Sequence, residues 1–294
     1  MSSTAAGGLY AIDKPEGISS NAALNVLRRR FATRRVGHAG TLDPLATGLL
    51  LVAMGSYTRL LSLLIGVDKA YEAGIVLGLE TDSFDTDGAV VSERPGVRLE
   101  TSEIEAALGR LVGDVLQVPP AFSALKVAGK RAYELARANA AFELAPRAVS
   151  VKSLELEEVY IEGGFLRIRV RAEVGSGTYI RSIAHDLGEL LGTGGCIFAL
   201  RRVRVGAVGI ERAVKLEEAG DGGGLLLPEE ILPGVGRVTI AAGLARAFLS
   251  GQPVEAGGGL PAMVYSEDEP GEPLGLGVPE GGRLRPRIVL RRSP

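Results

Sequence analysis

The stretch FLRIRVRAEV, residues 165–174, alternates between apolar and charged residues. Leu166, Ile168, Val170, Ala172 and Val174 fall on one side; Arg167, Arg169, Arg171 and Glu173 fall on the other. A period of two separates them only in an extended strand, because a helix would scatter the same residues around its axis. The chain must therefore build a sheet with one buried face and one charged face. An antiparallel sheet allows this, since it can leave one face in water. A second run, KAYEAGIVLG (69–78), places Tyr71, Ala73, Ile75 and Leu77 on one side and reads as another strand. With 46% apolar residues over 294 positions, the chain has material for a sizeable core.

Around these strands the punctuation is regular. LYAI (9–12) reads as a strand that ends at Asp13-Lys14-Pro15. Ser19 or Ser20 caps a helix running to Phe31, with Leu24, Leu27 and Phe31 on one face. A glycine-fenced loop spans 37–48 and leads into the buried run LLLVAMG. ETDSFDTDG (80–88) is an acidic turn. Thr101 to Gly113 reads as a helix with Ser102 and Glu105 as a capping box and Gly113 as its stop. Residues 116–137 form a proline-punctuated loop followed by a short basic helix. Residues 175–192 turn through two glycines into a helix ended by Gly192. This order is not a βαβ repeat, so the expected class is α+β, with a mixed, largely antiparallel central sheet flanked by helices. AGDGGG (219–224) breaks the chain, and beyond Gly236 short apolar segments alternate with Gly and Pro. That predicts a small β-rich domain of about 60 residues at the C-terminus.

Composition narrows the function classes. A formal charge of −2 gives no bulk field that would steer nucleic acid. The single cysteine, Cys196, excludes an intrachain disulfide and suits a reducing compartment. MSSTAAGG lacks the basic and apolar regions of a signal peptide, and the apolar stretches Leu49–Met54 and Leu60–Val67 are too short to span a bilayer. The expected location is the cytoplasm. The two histidines, His38 and His185, sit in no Cys/His cluster, and neither a dinucleotide fingerprint, a P-loop nor a nucleophile elbow occurs. No metal and no cofactor are expected.

Positive charge is nonetheless concentrated. RRRFATRR (28–35) and RLRPRIVLRR (283–292) each hold five arginines and no acid, and Lys126, Lys130, Arg131 and Arg137 make a third group. One such cluster is ordinarily a solvated face. Three clusters, rich in arginine, point to a phosphate-bearing partner.

GHAGTLDPLATG (37–48) places Asp43 directly before Pro44, between glycines. Alone, Asp-Pro is a turn. In combination with the rest of the chain it carries a resemblance. DKPEGISS (13–20), GHAGTLDPLATGLL (37–50), DKAYEAGIVLG (68–78), TDSFDTDG (81–88), QVPPAFSALKVAGKRAYELAR (117–137), GSGTYIRSIAHDLG (175–188) and LRR (200–202) together resemble the bacterial tRNA pseudouridine-55 synthases of the TruB type. The resemblance covers nearly the whole chain. It departs from the commoner family form at GSGTYIRS, where a lysine usually follows the first serine.

The resemblance implies the pseudouridine synthase fold over residues 1–235, with an RNA-clasping insertion at 117–150. It implies a PUA-like RNA-binding barrel over 236–294. The implied reaction detaches a T-loop uridine from C1′ and rejoins it through C5, after the base is flipped from the RNA stack. The implied partner is tRNA through its T-stem-loop, and the chain is expected to act as a monomer. Asp43 takes the catalytic position. Its carboxylate suits attack at C1′, addition at C6 or proton removal from C2′, and the sequence leaves these open. Arg181 is the implied ion-pair partner that keeps Asp43 charged. Tyr71 stacks on the flipped base, and Leu200 lies beneath it. Lys14 supports the site and His38 contacts the T-loop, while His185 is read as structural. Lys126, Lys130 and Arg131 grip phosphates, and Tyr179 stands beside Arg181 in GTYIR. The competing readings are a guide-RNA-dependent synthase of the H/ACA kind and a non-catalytic tRNA-binding or tRNA-folding protein.

Overall fold

The computed structural model describes residues 7–123, 125–127, 129–138, 140, 142–220, 223–257 and 259–290. In chain order the strands are β1 (Gly8–Lys14), β2 (Val36–His38), β3 (Thr47–Met54), β4 (Lys69–Leu77), β5 (Leu79–Thr81), β6 (Val90–Glu93), β7 (Gly113–Gln117), β8 (Lys126–Val127), β9 (Lys130–Arg131), β10 (Arg147–Glu162), β11 (Phe165–Val174) and β12 (Gly195–Val205). They continue as β13 (Val208–Gly209), β14 (Val214–Lys215), β15 (Leu225–Leu226), β16 (Gly236–Ile240), β17 (Ala262–Ser266), β18 (Glu269–Glu280) and β19 (Arg283–Val289). The α-helices are α1 (Ser20–Arg30), α2 (Thr101–Arg110), α3 (Ala132–Arg137), α4 (Ile180–Leu191), α5 (Pro228–Ile231) and α6 (Ala242–Leu249). The class is α+β, as the sequence predicts.

The chain forms two compact units. One comprises residues 1–44, 48–66 and 204–294; the other comprises 45–47 and 67–203. In the first, β1 lies between β3, antiparallel to it, and β14, parallel to it. Every residue of β3 after Thr47 is buried, which is why LLLVAM carries no polar alternation. Ser19 caps α1 by accepting from the Ala22 amide at 3.1 Å, and Leu24 and Leu27 turn inward. The C-terminal strands of this unit order as β16-β17-β18-β19, with the first pair parallel and the others antiparallel. Helix α6 lays Phe248 on Ile240, Val264, Leu274 and Leu284 to make a core of its own.

In the second unit the strand order is β12-β4-β11-β10-β7. Strand β11 coincides with the alternating run, and its apolar side is buried throughout. The charged side pairs within the sheet. Arg167 meets Glu162 at 2.8 Å, Arg169 meets Glu158 at 3.0 Å, and Arg171 stands in register between Glu155 and Glu72. Gly74 lies opposite Arg169 on β4, and a Cβ there would sit 2.5 Å from the ring of Phe198. The Arg167 guanidinium in turn covers that ring at 4.6 Å. Helix α2 packs on α4 and β10, and α4 packs on β4. Gly192 ends α4 in the left-handed conformation, as expected.

One local expectation is corrected. The cap of α2 is not Ser102 with Glu105. The helix begins at Thr101, so Glu100 is the N-cap, and its amide donates to the Glu103 carboxylate at 2.7 Å. Thr101 and Ser102 are already helical, and the carboxylate at the third position lies where the helix dipole favours negative charge. Gly113 does not stop this helix but opens β7.

Candidate active site

Asp43 occupies the coil between β2 and β3, and the residues on either side of it are held by side chains from the start of the chain. Leu42 is clamped by Ser20, the first residue of α1. The Ser20 hydroxyl donates to the Leu42 carbonyl at 2.9 Å and accepts from the Leu42 amide at 2.8 Å. Pro44 is held by Lys14, at the end of β1. The Lys14 ammonium donates to the carbonyls of Pro15 and Ile18, each at 2.7 Å, and to that of Pro44 at 3.4 Å. The Gly17 amide donates to the same Pro44 carbonyl at 2.9 Å. Lys14 and Ser20 are 0% and 1% exposed, so neither cation nor hydroxyl has a water alternative. Asp43 between these two anchors is half-buried.

The loop also turns through Gly40 and Gly48, both at positive φ, a region costly for other residues. The Ala39 amide donates to the Leu51 carbonyl at 2.9 Å, and His38, the last residue of β2, pairs with Val52 of β3. Sequence reasoning assigned support to Lys14 and missed Ser20 as a clamp. It placed Ser20 near a helix cap, and a bond spanning 22 residues leaves no local pattern.

In the other unit the first turn of α4 carries Arg181. The side chain is 5% exposed. Its Nη1 donates to the Ser83 carbonyl at 2.9 Å and to Asp85 Oδ2 at 3.2 Å, and its Nη2 donates to the Phe122 carbonyl at 2.8 Å. Asp85 is fixed in turn: its Oδ1 accepts from the Ser83 hydroxyl at 2.6 Å and from the Asp87 amide at 3.2 Å. Its carbonyl accepts from the Thr81 hydroxyl at 2.7 Å. A carboxylate so bonded holds the guanidinium in one orientation. Asp85 lay within the quoted stretch TDSFDTDG, read as an acidic turn, and no role was assigned to it.

The backbone entering α4 is pinned as well. The Tyr179 amide donates to Gln117 Oε1 at 2.8 Å, and Gln117 Nε2 donates to the Tyr179 carbonyl at 3.1 Å. The Ser182 hydroxyl donates to the Val118 carbonyl at 2.7 Å. These bonds tie the end of β7 to both sides of Arg181. Gln117 belonged to the quoted stretch QVPP but no property of its own marked it.

Tyr71 lies on β4, 7% exposed, opposite Ala172 of β11. Leu200 lies on β12, the neighbouring strand, and its carbonyl accepts from the Thr47 hydroxyl at 3.5 Å. Strands β8 and β9 pair as a small hairpin, Lys126 opposite Arg131. The side chains of Lys126, Lys130, Arg131 and Arg137 lie outside the described residues, as do Arg291 and Arg292. Of the first basic cluster, Arg29, Arg34 and Arg35 are exposed, whereas Arg28 donates to Asn25 and to the Val36 carbonyl. In the last cluster Arg283 pairs with Glu255 and Arg285 with Glu280.

Two further buried groups have displaced ionisation. The Lys69 ammonium is lowered to about 8, chiefly by burial and then by the Arg202 charge, with Asp68 opposing. Burial pushes the Cys196 thiol up to about 12.

Comparison with known proteins places these features in a family. Residues 28–180 match the TruB family pseudouridylate synthase N-terminal domain, and residues 181–222 match the tRNA pseudouridylate synthase B C-terminal domain. A tRNA pseudouridine synthase B of Aromatoleum aromaticum is 43% identical over 290 residues, covering 96% of this chain and 92% of its own. That of Mycolicibacterium paratuberculosis is 42% identical over 287 residues, covering 97% of each. Among solved structures, an H/ACA RNP bound to a substrate RNA containing 2′-deoxyuridine aligns with a TM-score of 0.68 at 21% identity, over 97% of this chain and 86% of that one. An archaeal box H/ACA sRNP Nop10-Cbf5 complex aligns with a TM-score of 0.63, also at 21% identity, with the same coverage. These two likenesses concern the fold.

Proposed function

We propose that the chain, which belongs to the TruB family of pseudouridylate synthases and is a tRNA pseudouridine synthase, isomerises the uridine at position 55 in the tRNA T-loop. The observation that carries the reading is the pinning of the backbone on both sides of Asp43, at Leu42 by Ser20 and at Pro44 by Lys14 and Gly17. A carboxylate that must meet a sugar or a ring carbon at one position gains from a backbone that cannot move. Each part of the barrier removed by orientation is removed before the substrate arrives.

Asp43 is the acting carboxylate. Ionised, it serves as nucleophile at C1′ or C6 or as base at C2′, and the three courses share the same requirement for a fixed, charged oxygen. Tyr71 offers a ring face to the flipped base and a hydroxyl near C5. Arg181 supplies positive charge in a fixed orientation, because Asp85, Ser83 and Phe122 hold it. Leu200 is an apolar floor. Flipping leaves a gap in the T-loop that His38 helps to fill. The charge for holding the phosphates is assigned to Lys126, Lys130 and Arg131 and to the exposed Arg29, Arg34 and Arg35. The segment 236–294, whose described residues include a four-stranded sheet and helix α6, is read as a PUA-like RNA-binding domain that follows a catalytic region of 1–235. We assign the protein to the cytoplasm as a monomer needing no metal for the reaction.

The test is a bare T-stem-loop transcript mapped for pseudouridine after incubation with the purified chain and with Asp43→Asn. The expected result is conversion at one uridine by the wild type, none by the variant, and similar RNA affinity for both. Substantial turnover by Asp43→Asn removes the carboxylate role. A requirement for guide RNA and partner proteins would favour the H/ACA reading instead.

A further inference from the structure

A second cluster of chemistry-bearing side chains lies on α4, away from its first turn. One nitrogen of His185 and one carboxylate oxygen from each of Glu80 and Glu189 lie within 4.8 Å of one another. His185 and Glu189 are one helical turn apart, so they share a face of α4. Glu80 comes from β5. His185 Nδ1 is 3.8 Å from Glu80 Oε1, too far for a hydrogen bond, and it is buried with no hydrogen-bond partner among the described residues. A buried ring nitrogen left so carries a desolvation cost that calls for an explanation, of which an ion is one.

The imidazole is also held flat. Phe84 stacks on it with ring centroids 4.0 Å apart and an interplanar angle of 8°. That stacking is bought with backbone strain, since Phe84 adopts φ +62°, a left-handed conformation that bulky side chains avoid. The strained residue is locked by two bonds, its amide to the Thr81 carbonyl at 3.3 Å and its carbonyl from the Ile197 amide at 3.0 Å. An imidazole fixed in orientation, with its inner nitrogen unbonded and two carboxylates facing it, is the environment of a metal ligand.

We propose that Glu80, His185 and Glu189 bind a divalent transition-metal cation. One imidazole and two carboxylates suit zinc among the common ions, whereas an imidazole ligand disfavours magnesium and calcium. Bond lengths near 2.1 Å in a tetrahedral zinc site set ligand atoms about 3.4 Å apart. Glu80 and His185 are already close to that spacing, and Glu189, exposed at the helix surface, is the arm that closes. The fourth position remains for water. The bound ion would tie β5 and α4 together next to residues 82–88, the segment that carries Asp85. It takes no part in bond making at uridine.

The experiment is a titration of the untagged full-length chain with ZnCl2, followed by calorimetry and by imidazole proton signals. With two histidines in the chain, each signal is assignable from His38→Asn and His185→Asn. The expected result is one equivalent bound, with only the His185 signal displaced and the melting temperature raised. Affinity should fall at least about tenfold in His185→Asn and in Glu80→Gln, as expected when a metal-site group is lost, and stay unchanged in His38→Asn. Glu80→Gln keeps the test open if His185→Asn folds poorly. The proposal is overturned if zinc fails to bind, if Glu80→Gln binds it as the wild type does, or if the His38 signal moves instead.

Discussion

The hydroxyl of Ser20 both donates to and accepts from the backbone of Leu42, at 2.9 and 2.8 Å, so one side chain closes a ring of bonds on the residue before Asp43. Ser20→Ala removes both partners and leaves the Leu42 amide and carbonyl buried without them. The expected cost is about 1–3 kcal/mol of stability. The loss in single-turnover rate should exceed the loss in tRNA affinity, because the loop is loosened rather than the RNA surface. Chemical denaturation together with rapid-quench kinetics reads both. An unchanged rate at reduced stability would show that the clamp serves folding alone.

Arg181 and Asp85 form a buried ion pair, with side chains 5% and 9% exposed. Asp85→Asn removes the carboxylate that meets the guanidinium at 3.2 Å. It should destabilise the chain by about 3–5 kcal/mol, the range for breaking a buried pair from one side. The double variant Asp85→Asn/Arg181→Met should cost less than the two single changes added together. Pseudouridine formation should fall further in Arg181→Met than in Arg181→Lys. A strictly additive cycle would mean that the pair is not coupled.

Lys69 gives a pH signature of definite sign. Its folded value of about 8 lies below its ordinary value of 10.5, so between these limits the unfolded chain holds the proton that the folded chain has lost. Stability therefore rises with pH across that window, and the burial penalty is present in full below it. Lys69→Met lacks the group. The wild type should gain on it in urea midpoint from about pH 8 to about 10.5 and run parallel to it outside. A constant difference across the whole range would contradict the assignment.

Gly74 faces Phe198 so closely that a Cβ would meet the ring at 2.5 Å. Gly74→Ala should destabilise by about 1–3 kcal/mol, against the usual advantage of alanine over glycine in a strand. Adding Phe198→Leu should recover part of the loss. Thermal melts of the single and double variants decide it.

The elements that sequence reading located well are those whose signal is local. Strand β11 coincides with its alternating run, and α4 ends at the glycine that could adopt the left-handed turn. Of the two candidate caps Ser19 and Ser20, Ser19 is the cap and Ser20 the first helical residue. The start of α2 at Thr101 was read correctly, but its cap was misplaced by two residues, because Ser102 and Glu105 form as good a capping pattern on paper as Glu100 and Glu103. Only the tertiary setting of the helix separates them. The same limit applied to the site. Asp43, Tyr71 and Arg181 were reached through family resemblance, whereas Asp85 and Gln117 act through partners 96 and 62 residues away. No periodicity or spacing encodes such distances.

The arginines of β11 were what made this chain readable as a sheet, and the structure has already matched two of them with glutamates and set the third between two more. An arginine already matched to a glutamate must give up that partner before it can neutralise a phosphate and release the counterions condensed on RNA. A salt titration of tRNA binding should therefore report far fewer charges than the sequence contains. The charged face of β11 thus serves the sheet, and the pull on RNA is left to the arginines and lysines outside it.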